Sequence, residues 1–248
     1  MSVSEPTEPS EARAAPRPPT ESWWRRPWIG PLMLVAAVFL VVSVPRYLTF
    51  DPSLSRMEVP PGDPVYHPLL VVHVLCGAVA MAAGCFQIWP RFRAAHPWGH
   101  RLTGRVYVFA GVLPGGATAL YVGVHTPFGP TVMAANLTLA VLWLTTTVIA
   151  FRMVRRRRFA DHRLWMIRSF ALTMSIVVSR ILVTVVFVAL LPSADVLFGG
   201  DQDLHLNTAT GIGVWLAIVL SLVFAEAGVH RGGGAVRRAG SPVARSVR

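Results

Sequence analysis

Apolar residues recur along this chain in six long runs, which are separated by shorter polar segments. An α-helix needs about 20 mostly apolar residues to cross the hydrocarbon core of a bilayer, and each run approaches or exceeds that length. The runs cover residues 28–47, 68–89, 102–124, 131–151, 165–191 and 208–227. The pattern predicts an all-α fold, namely a polytopic membrane bundle of six transmembrane helices within residues 23–230.

The two ends of the chain lack this apolar pattern. Residues 1–22 are rich in Pro, Ser, Glu and Ala and have almost no large apolar side chain, a composition typical of disorder. Residues 231–248 combine glycines with several arginines. We therefore predict a disordered N-terminal tail and a flexible, basic C-terminal tail on either side of the membrane domain.

Arginine is distributed unevenly among the segments that connect the spans. All 23 basic residues are Arg, and they cluster before the first span and after the second, fourth and sixth spans. The connections after the first and fifth spans are acidic instead, with Asp51, Asp63, Asp195 and Asp201 among their residues. Because basic segments are retained on the cytoplasmic side, we predict a bacterial inner-membrane protein with both termini in the cytoplasm.

Composition and charge narrow the range of partners. The chain is 53% hydrophobic and only 14% charged, yet its formal net charge is +11. A basic chain can indicate nucleic-acid binding, but these arginines lie at the ends of apolar runs, where they orient the protein and contact anionic lipid. We therefore expect the lipid bilayer, with anionic lipid at the Arg clusters, as a partner and no nucleic acid. The oligomeric state stays open.

His73 and Arg180 are ionisable side chains that lie inside predicted spans and away from their ends, where charge is costly and therefore indicates function. His73 lies in the second span, on one helical face with Gly77, Gly84 and Gln87. Arg180 lies deep in the fifth span, and helical counting puts it in the same half of the membrane as His73. The pair is a candidate binding site for an anionic or flat ligand. The alternative is that His73 only forms a hydrogen bond between helices.

Two similar segments open the third and fifth spans. They contain His100, Arg101, Arg105 and Tyr107, and His162, Arg163 and Arg168. Two histidines at one depth on different helices can hold a haem iron, which makes His100 and His162 candidate ligands. The arginines can instead bind phosphate or an acidic partner, and interfacial anchoring is the third interpretation. The other histidines fall in loops or at span edges, and we expect them to face solvent: His67, His96, His125, His205 and His230.

These segments together resemble a known family. The stretch from His73 through Gln87 to Tyr107, and the later stretch from His162 to Ser169 with Arg180 beyond, are similar to the DUF2306 family of bacterial predicted membrane proteins. The resemblance covers residues 68–186. It implies a multi-pass membrane protein, and the family has no established activity.

A more distant resemblance is to the ascorbate-linked transmembrane b-type cytochromes, which have six helices and hold haem through histidines on the four central ones. This resemblance implies haem b held by His100 and His162. The chain departs from the cytochrome pattern at the second histidine pair. His73 has no histidine partner on the fourth span, where Asn136 is the nearest polar residue.

Three functions are compatible with these observations. The first is a redox membrane protein that uses haem or a quinone. The second is a transporter or sensor for a small solute, with a polar cavity around His73, Gln87 and Arg180. The third is a scaffold or assembly factor. Whether the protein is an enzyme stays open. The remaining polar residues of the two segments are expected to form a supporting network: Arg101, Arg105, Tyr107, Arg163 and Arg168.

Overall fold

The computed structural model describes residues 27–55 and 59–239, with side-chain surroundings for residues up to 230. The predicted disordered tail at 1–22 lies outside the described residues, as do Arg25, Arg26 and residues 240–248. The last helix continues to Ala239, so it includes the beginning of the segment predicted as a flexible tail. The flexibility of both tails stays a prediction.

Within the described residues, six helical stretches are long and apolar enough to cross a membrane, which confirms the predicted fold class. They cover Ile29–Tyr47, Tyr66–Ile88, Pro97–Val124, Gly129–Arg155, Phe159–Phe198 and Gln202–His230. Their α-helices, together with the short α3 between the second and third spans, are α1 (Ile29–Ser43), α2 (Tyr66–Ile88), α3 (Pro90–Ala95), α4 (Pro97–Arg105), α5 (Leu113–Val124), α6 (Gly129–Arg155), α7 (Phe159–Leu190), α8 (Ala194–Phe198) and α9 (Gln202–Ala239).

Several spans are longer than the apolar runs that predicted them. The third span begins at Pro97 rather than residue 102, and the fourth ends at Arg155 rather than residue 151. These extra turns carry arginines, whose long side chains can reach the headgroup region while the backbone remains helical. Hydropathy therefore located the spans correctly but missed terminal turns that are helical without being apolar.

The alternating direction of the spans gives the bundle an arginine-rich end and an acidic end. The arginine-rich end contains α3, the start of α4, the end of α6 with Arg155 and the start of α7 with Arg163. The acidic end contains the connections that follow α1 and α7, where Asp51 and Asp201 lie. Which of the two ends faces the cytoplasm remains a prediction.

Two aspartates organise the connection between the first and second spans at the acidic end. The carboxylate of Asp63 accepts hydrogen bonds from two backbone N–H groups at the start of α2, and from the Tyr121 hydroxyl at 3.1 and 3.0 Å. Asp51 accepts hydrogen bonds from the backbone N–H and hydroxyl of Ser53, which hold the pKa of this carboxyl below its ordinary value. Asp63 thereby joins the start of α2 to the end of α5.

Close helix packing depends on glycine at two crossings. A Cβ added at Gly111 would lie 2.8 Å from the Cβ of Ala80, and one added at Gly213 would lie 2.7 Å from the backbone nitrogen of Val183. Backbones come this close only where a side chain is absent, as is common between membrane helices. The first contact holds α2 against the third span, and the second holds α7 against α9.

The third span is not a regular α-helix throughout. Residues Val106–Val112 form a π-helical segment between α4 and α5, and the N–H of Leu113 bonds to the carbonyl of Val108. Pro114 follows directly, and a proline can neither donate to the preceding turn nor fit its ring against it. The wider π-turn accommodates this proline, and it directs the Tyr107 side chain, which is completely buried, into the bundle.

Candidate functional site

A cavity of about 290 Å³ lies between the spans, in the half of the bundle nearer the acidic end. All six spans contribute to its lining, which is mostly apolar. Pockets that bind small molecules typically measure about 300–1,000 Å³, so this cavity has room for a small ligand. Three polar side chains in its wall carry the chemistry discussed below, namely His73, Asn136 and Arg180.

The ring of His73 is held by a hydrogen bond to the neighbouring span. Its Nδ1 lies 2.8 Å from the carbonyl oxygen of Gly115, just after the proline of the third span. A carbonyl can only accept, so Nδ1 carries the hydrogen and Nε2 of the neutral ring is an acceptor. The sequence left open whether His73 bonds between helices or lines a ligand site. The structure shows the bond between helices and also places His73 in the wall of the cavity, so its role in a ligand site stays a prediction.

Arg180 and Asn136 bring further polar groups to the cavity. Arg180 comes from α7 and Asn136 from α6, and both line the cavity with His73, as depth counting predicted for Arg180 and His73. The side-chain amide of Asn136 makes no hydrogen bond with any residue that the structure describes. An amide inside a membrane protein is costly without a partner, and Asn136 has hydrogen-bonding capacity that no described residue uses.

The deep part of the cavity is apolar and ends near the middle of the bundle. Met81, Leu139 and Leu172 line it, together with the side chains of Trp143 and Thr173. The indole nitrogen of Trp143 donates to the hydroxyl of Thr173 at 2.9 Å. A ligand whose polar group lies near His73 would therefore place its apolar part toward Trp143.

Below this floor, hydroxyl groups from three spans form a buried network. The Tyr107 hydroxyl lies 2.7 Å from Ser169 Oγ and 2.8 Å from Thr173 Oγ1, and Ser169 Oγ lies 2.6 Å from Thr147 Oγ1. Tyr107, Ser169 and Thr147 are completely buried. The sequence singled out Tyr107 only as part of a motif. Its partners were not predicted, because single Ser and Thr residues in apolar helices give no signal of which neighbour they meet.

The hydroxyl network can be satisfied in two proton arrangements. At its two ends, Thr147 Oγ1 lies 2.8 Å from the Trp143 carbonyl oxygen and Thr173 Oγ1 lies 3.1 Å from the Ser169 carbonyl oxygen. Each hydroxyl has one proton. When all three bonds between hydroxyls form, the hydroxyls therefore donate in the same direction along the network, and the carbonyl at the other end has no hydroxyl donor. Because Thr173 lines the cavity, a ligand group beside it would favour one direction.

Gln87 lies at the arginine-rich end, outside the cavity. Its side-chain amide donates to the backbone carbonyl of His100 at 2.8 Å and to the hydroxyl of Thr103 at 2.5 Å. These bonds join the end of α2 to α4. The expectation that Gln87 shares one cavity with His73 and Arg180 is therefore wrong. Gln87 and His73 lie on one face of α2, but Gln87 contacts α4 whereas His73 lines the cavity.

His100 and His162 both lie at the arginine-rich end, in α4 and near the start of α7. His162 donates from Nδ1 to the carbonyl of Ala150 at 2.9 Å, which leaves Nε2 for a metal, the usual arrangement of a ligating histidine. The Nδ1 of His100 is buried and has no hydrogen-bond partner among the described residues. Neither ring lines the central cavity. Of these two histidines, His162 is the one whose Nδ1 is hydrogen-bonded so that Nε2 could bind a metal, and haem binding stays a prediction.

Among the arginines predicted as a network, Arg168 has a defined partner. Its Nε and Nη2 donate to the two carboxylate oxygens of Glu226 at 2.5 and 3.1 Å, and its guanidinium lies 4.6 Å from the Trp165 ring centroid. This pair joins α7 to α9. Three other arginines are exposed and form no ion pair within the described part of the chain: Arg101, Arg105 and Arg163. Anionic lipid remains their predicted partner.

The expectation that the remaining histidines face solvent is wrong for two of them. His67 is 8% exposed and His205 is 4% exposed. The His205 ring lies between those of Phe187 and Phe198, at centroid distances of 4.1 and 4.8 Å, and its Nε2 donates to the Phe187 carbonyl at 3.1 Å. The phenylalanines that precede His205 in the sequence are the feature that could have indicated its burial. The stacked rings join the end of α7 to the start of α9.

The fold defines a six-helix, multi-pass membrane protein, and its spans surround a central cavity. A family model described as "Predicted membrane protein (DUF2306)" matches residues 70–229, so the chain belongs to this family. The match continues through the sixth span, beyond the predicted region 68–186, and it leaves α1 outside. No curated protein and no solved structure matches the chain. The resemblance to b-type cytochromes and the bacterial origin stay predictions.

Proposed function

We propose that the protein binds a small amphipathic ligand in the central cavity and acts as a membrane sensor or transporter for it. The observation that carries this proposal is the pairing of His73 and Arg180, with Asn136, in a cavity that is otherwise mostly apolar. Ionisable groups are rarely found inside membrane helices without a function. The unpartnered amide of Asn136 supports a ligand with a polar head.

The chemistry of the wall specifies the head of this ligand. The neutral His73 ring presents Nε2 as an acceptor for a hydroxyl group, because its Nδ1 donates to Gly115. The guanidinium of Arg180 only donates, and carboxylate oxygen is its preferred partner. A head that bonds to both has an acidic hydroxyl and an acceptor oxygen, as a carboxyl group or a hydroquinone does. The carboxyl group is the better match, because its proton can pass to Nε2 of His73, after which the imidazolium and Arg180 both donate to the carboxylate.

Quenching of Trp143 fluorescence tests the proposal, since this indole lies at the floor of the cavity. The probe is ω-bromoundecanoate, which carries its quenching bromine at the end of the chain, added to the protein in phosphatidylcholine nanodiscs. Subtracting the signal of a Trp143→Phe variant isolates this residue. The control ligand is the methyl ester of the probe, which keeps the hydrocarbon chain and lacks the acidic hydroxyl. Decyl-hydroquinone tests the alternative head.

We expect saturable quenching by the acid and an affinity about tenfold higher than that of the ester, since a hydrogen bond to a charged group contributes about 1.5–3 kcal/mol. The Arg180→Gln variant should lose that preference. Stronger binding of decyl-hydroquinone would identify a quinone site instead. Equal affinity of acid and ester, unchanged by Arg180→Gln, would contradict the assigned head. The absence of saturable quenching by all three ligands would contradict ligand binding in the cavity.

Haem binding by His162 and His100 is the second candidate, supported by the orientation of the His162 ring. Haem would supply electron transfer at the arginine-rich end, with Ala150 fixing the ring through Nδ1. The test is an absorption spectrum of protein expressed with a haem precursor. A Soret band that His162→Ala abolishes and His96→Ala retains would support it, because His96 is exposed in the same part of the bundle. A colourless, monodisperse protein would contradict it.

A further inference from the structure

The first span forms a wall of the cavity while packing lightly on the rest of the bundle. Phe39, Leu40, Ser43, Val44 and Tyr47 line the cavity from this side. These residues lie on one face of the first span, and the same face faces the bundle from the start of α1 onward. The remaining faces of the helix point away from the bundle. Without the first span, the cavity would be open to the surrounding lipid.

The side chains of α1 outside this stripe contact little of the protein. Leu34, Val38 and Val41 are 65%, 54% and 72% exposed, whereas Ala36 is 1% exposed. Ala36 packs in a cluster with Met81 of α2 and with apolar residues of α7. Ala36 is the buried side chain in the middle of α1, and Leu32, Met33, Phe39 and Leu40 pack beside it while only partly buried. Moving this helix outward therefore exposes less apolar area than moving a fully packed helix would.

The other walls of the cavity are joined by contacts that oppose separation. Gly111 holds the third span against α2, and Gly213 holds α9 against α7. At the acidic end, Asp63 bonds to the hydroxyl of Tyr121, and the ring of His205 lies stacked between two phenylalanines. The family match also begins at residue 70, after the first span. Among the described walls, α1 is the one that can move at least cost.

We propose that α1 is a movable wall and that the ligand enters the cavity sideways from the bilayer, between α1 and its neighbours α2 and α7. The proposal rests on the proposed function, because it concerns the route to the same cavity. It defines the ligand class more narrowly: an amphipath dissolved in the membrane, such as a fatty acid, whose chain partitions into lipid before it binds. The exposed apolar surface of α1 is then the lipid-facing side of the opening.

Association kinetics distinguish a route through lipid from a route through water. Each added methylene lowers the aqueous concentration of a probe about fourfold, since its transfer into lipid is worth about 0.8 kcal/mol. With nearly all of the probe in the bilayer, the rate of Trp143 quenching is compared for ω-bromononanoate and ω-bromoundecanoate at the same total amount. Entry from lipid predicts rates that agree within about twofold, and entry from water predicts a fall of about fifteenfold.

Two variants test whether α1 is the wall that moves. Ala36→Leu enlarges the side chain at the buried contact and should displace α1, which accelerates both association and dissociation by about fivefold. Gly30→Leu is the matched control on the same helix, because a Cβ there meets no atom within 4 Å and Gly30 does not line the cavity. We expect the control to keep the rates of the unmodified protein.

The outcomes separate this proposal from the one on which it rests. Saturable quenching with rates that fall with chain length would overturn entry from the bilayer and leave ligand binding standing. Rates unaffected by Ala36→Leu would overturn the role of α1. The absence of saturable quenching would overturn both proposals. If Ala36→Leu does not fold, the comparison of chain lengths in the unmodified protein still decides the route.

Discussion

The Nδ1 of His73 and the carbonyl oxygen of Gly115 lie 2.8 Å apart, which fixes the hydrogen of this imidazole on Nδ1. His205 is fixed in the opposite way, because its Nε2 lies 3.1 Å from the carbonyl of Phe187. The rings of His73 and His205 therefore differ in tautomer when both are neutral. For His73 the consequence is a basic Nε2 beside the cavity, and for His205 it is a fixed contact between helices.

This difference can be measured by nitrogen NMR of the protein labelled with ¹⁵N-histidine. We expect His73 to show a protonated Nδ1 and an unprotonated Nε2, and His205 to show the reverse. His73→Asn and His205→Asn variants assign the signals. An Nε2–H tautomer at His73 would remove the proposed acceptor from the cavity wall.

A second prediction compares two completely buried tyrosines. Tyr107 bonds to Ser169 and Thr173, whereas the Tyr66 hydroxyl is buried without a partner among the described residues. Tyr107→Phe should lower the free energy of unfolding by about 1–2 kcal/mol, because two hydrogen bonds are lost. Tyr66→Phe should leave it unchanged or raise it. Thermal unfolding in detergent measures both, and equal destabilisation would show that the hydroxyl network adds nothing.

A third prediction concerns the crossing of α2 with the third span. Gly111→Ala places a Cβ 2.9 Å from the Cα of Ala80, and backbone must shift to relieve the clash. We expect a loss of about 1–3 kcal/mol in unfolding free energy. Gly77→Ala on the facing helix is the control, because its Cβ meets no atom within 4 Å. Neutral behaviour of both variants would mean that the two helices are not in close contact at this point.

A fourth prediction addresses the ion pair of Arg168 and Glu226. Their side chains are 23% and 41% exposed, so solvent weakens the attraction despite the two hydrogen bonds. A double-mutant cycle with Arg168→Gln and Glu226→Gln should give a coupling free energy of about 0.5–1 kcal/mol. The same cycle with Arg163→Gln should give none, because Arg163 is exposed and unpaired in the described structure. Equal coupling in both cycles would contradict a specific contact.

The fold was largely predictable because membrane insertion imposes a simple rule on sequence. A run of about 20 apolar residues must cross as a helix, and all six runs form helices long and apolar enough to do so. The same reasoning placed His73 and Arg180 at one depth, and both line one cavity. Depth follows from counting residues along a helix, and no knowledge of packing is needed.

The contacts around each helix were not predictable from the same counts. Gln87 shares a helical face with His73, yet it bonds to α4. This part of the third span lies at the arginine-rich end, outside the cavity. His205 occupies a predicted loop edge but is buried between phenylalanines, since α8 folds back over it. Such outcomes depend on which helices are neighbours, and in this bundle that is set by small residues such as Gly111.

The measurement that tests the central claim most directly is the titration of Trp143 quenching by ω-bromoundecanoate in Gly77→Leu and Gly30→Leu. Both glycines are helical and have open space around a Cβ, but only Gly77 lines the cavity. A leucine at Gly77 would fill space that the ligand needs. We predict that Gly77→Leu abolishes saturable quenching and that Gly30→Leu retains it. Unchanged quenching in Gly77→Leu would show that the probe does not bind in this cavity.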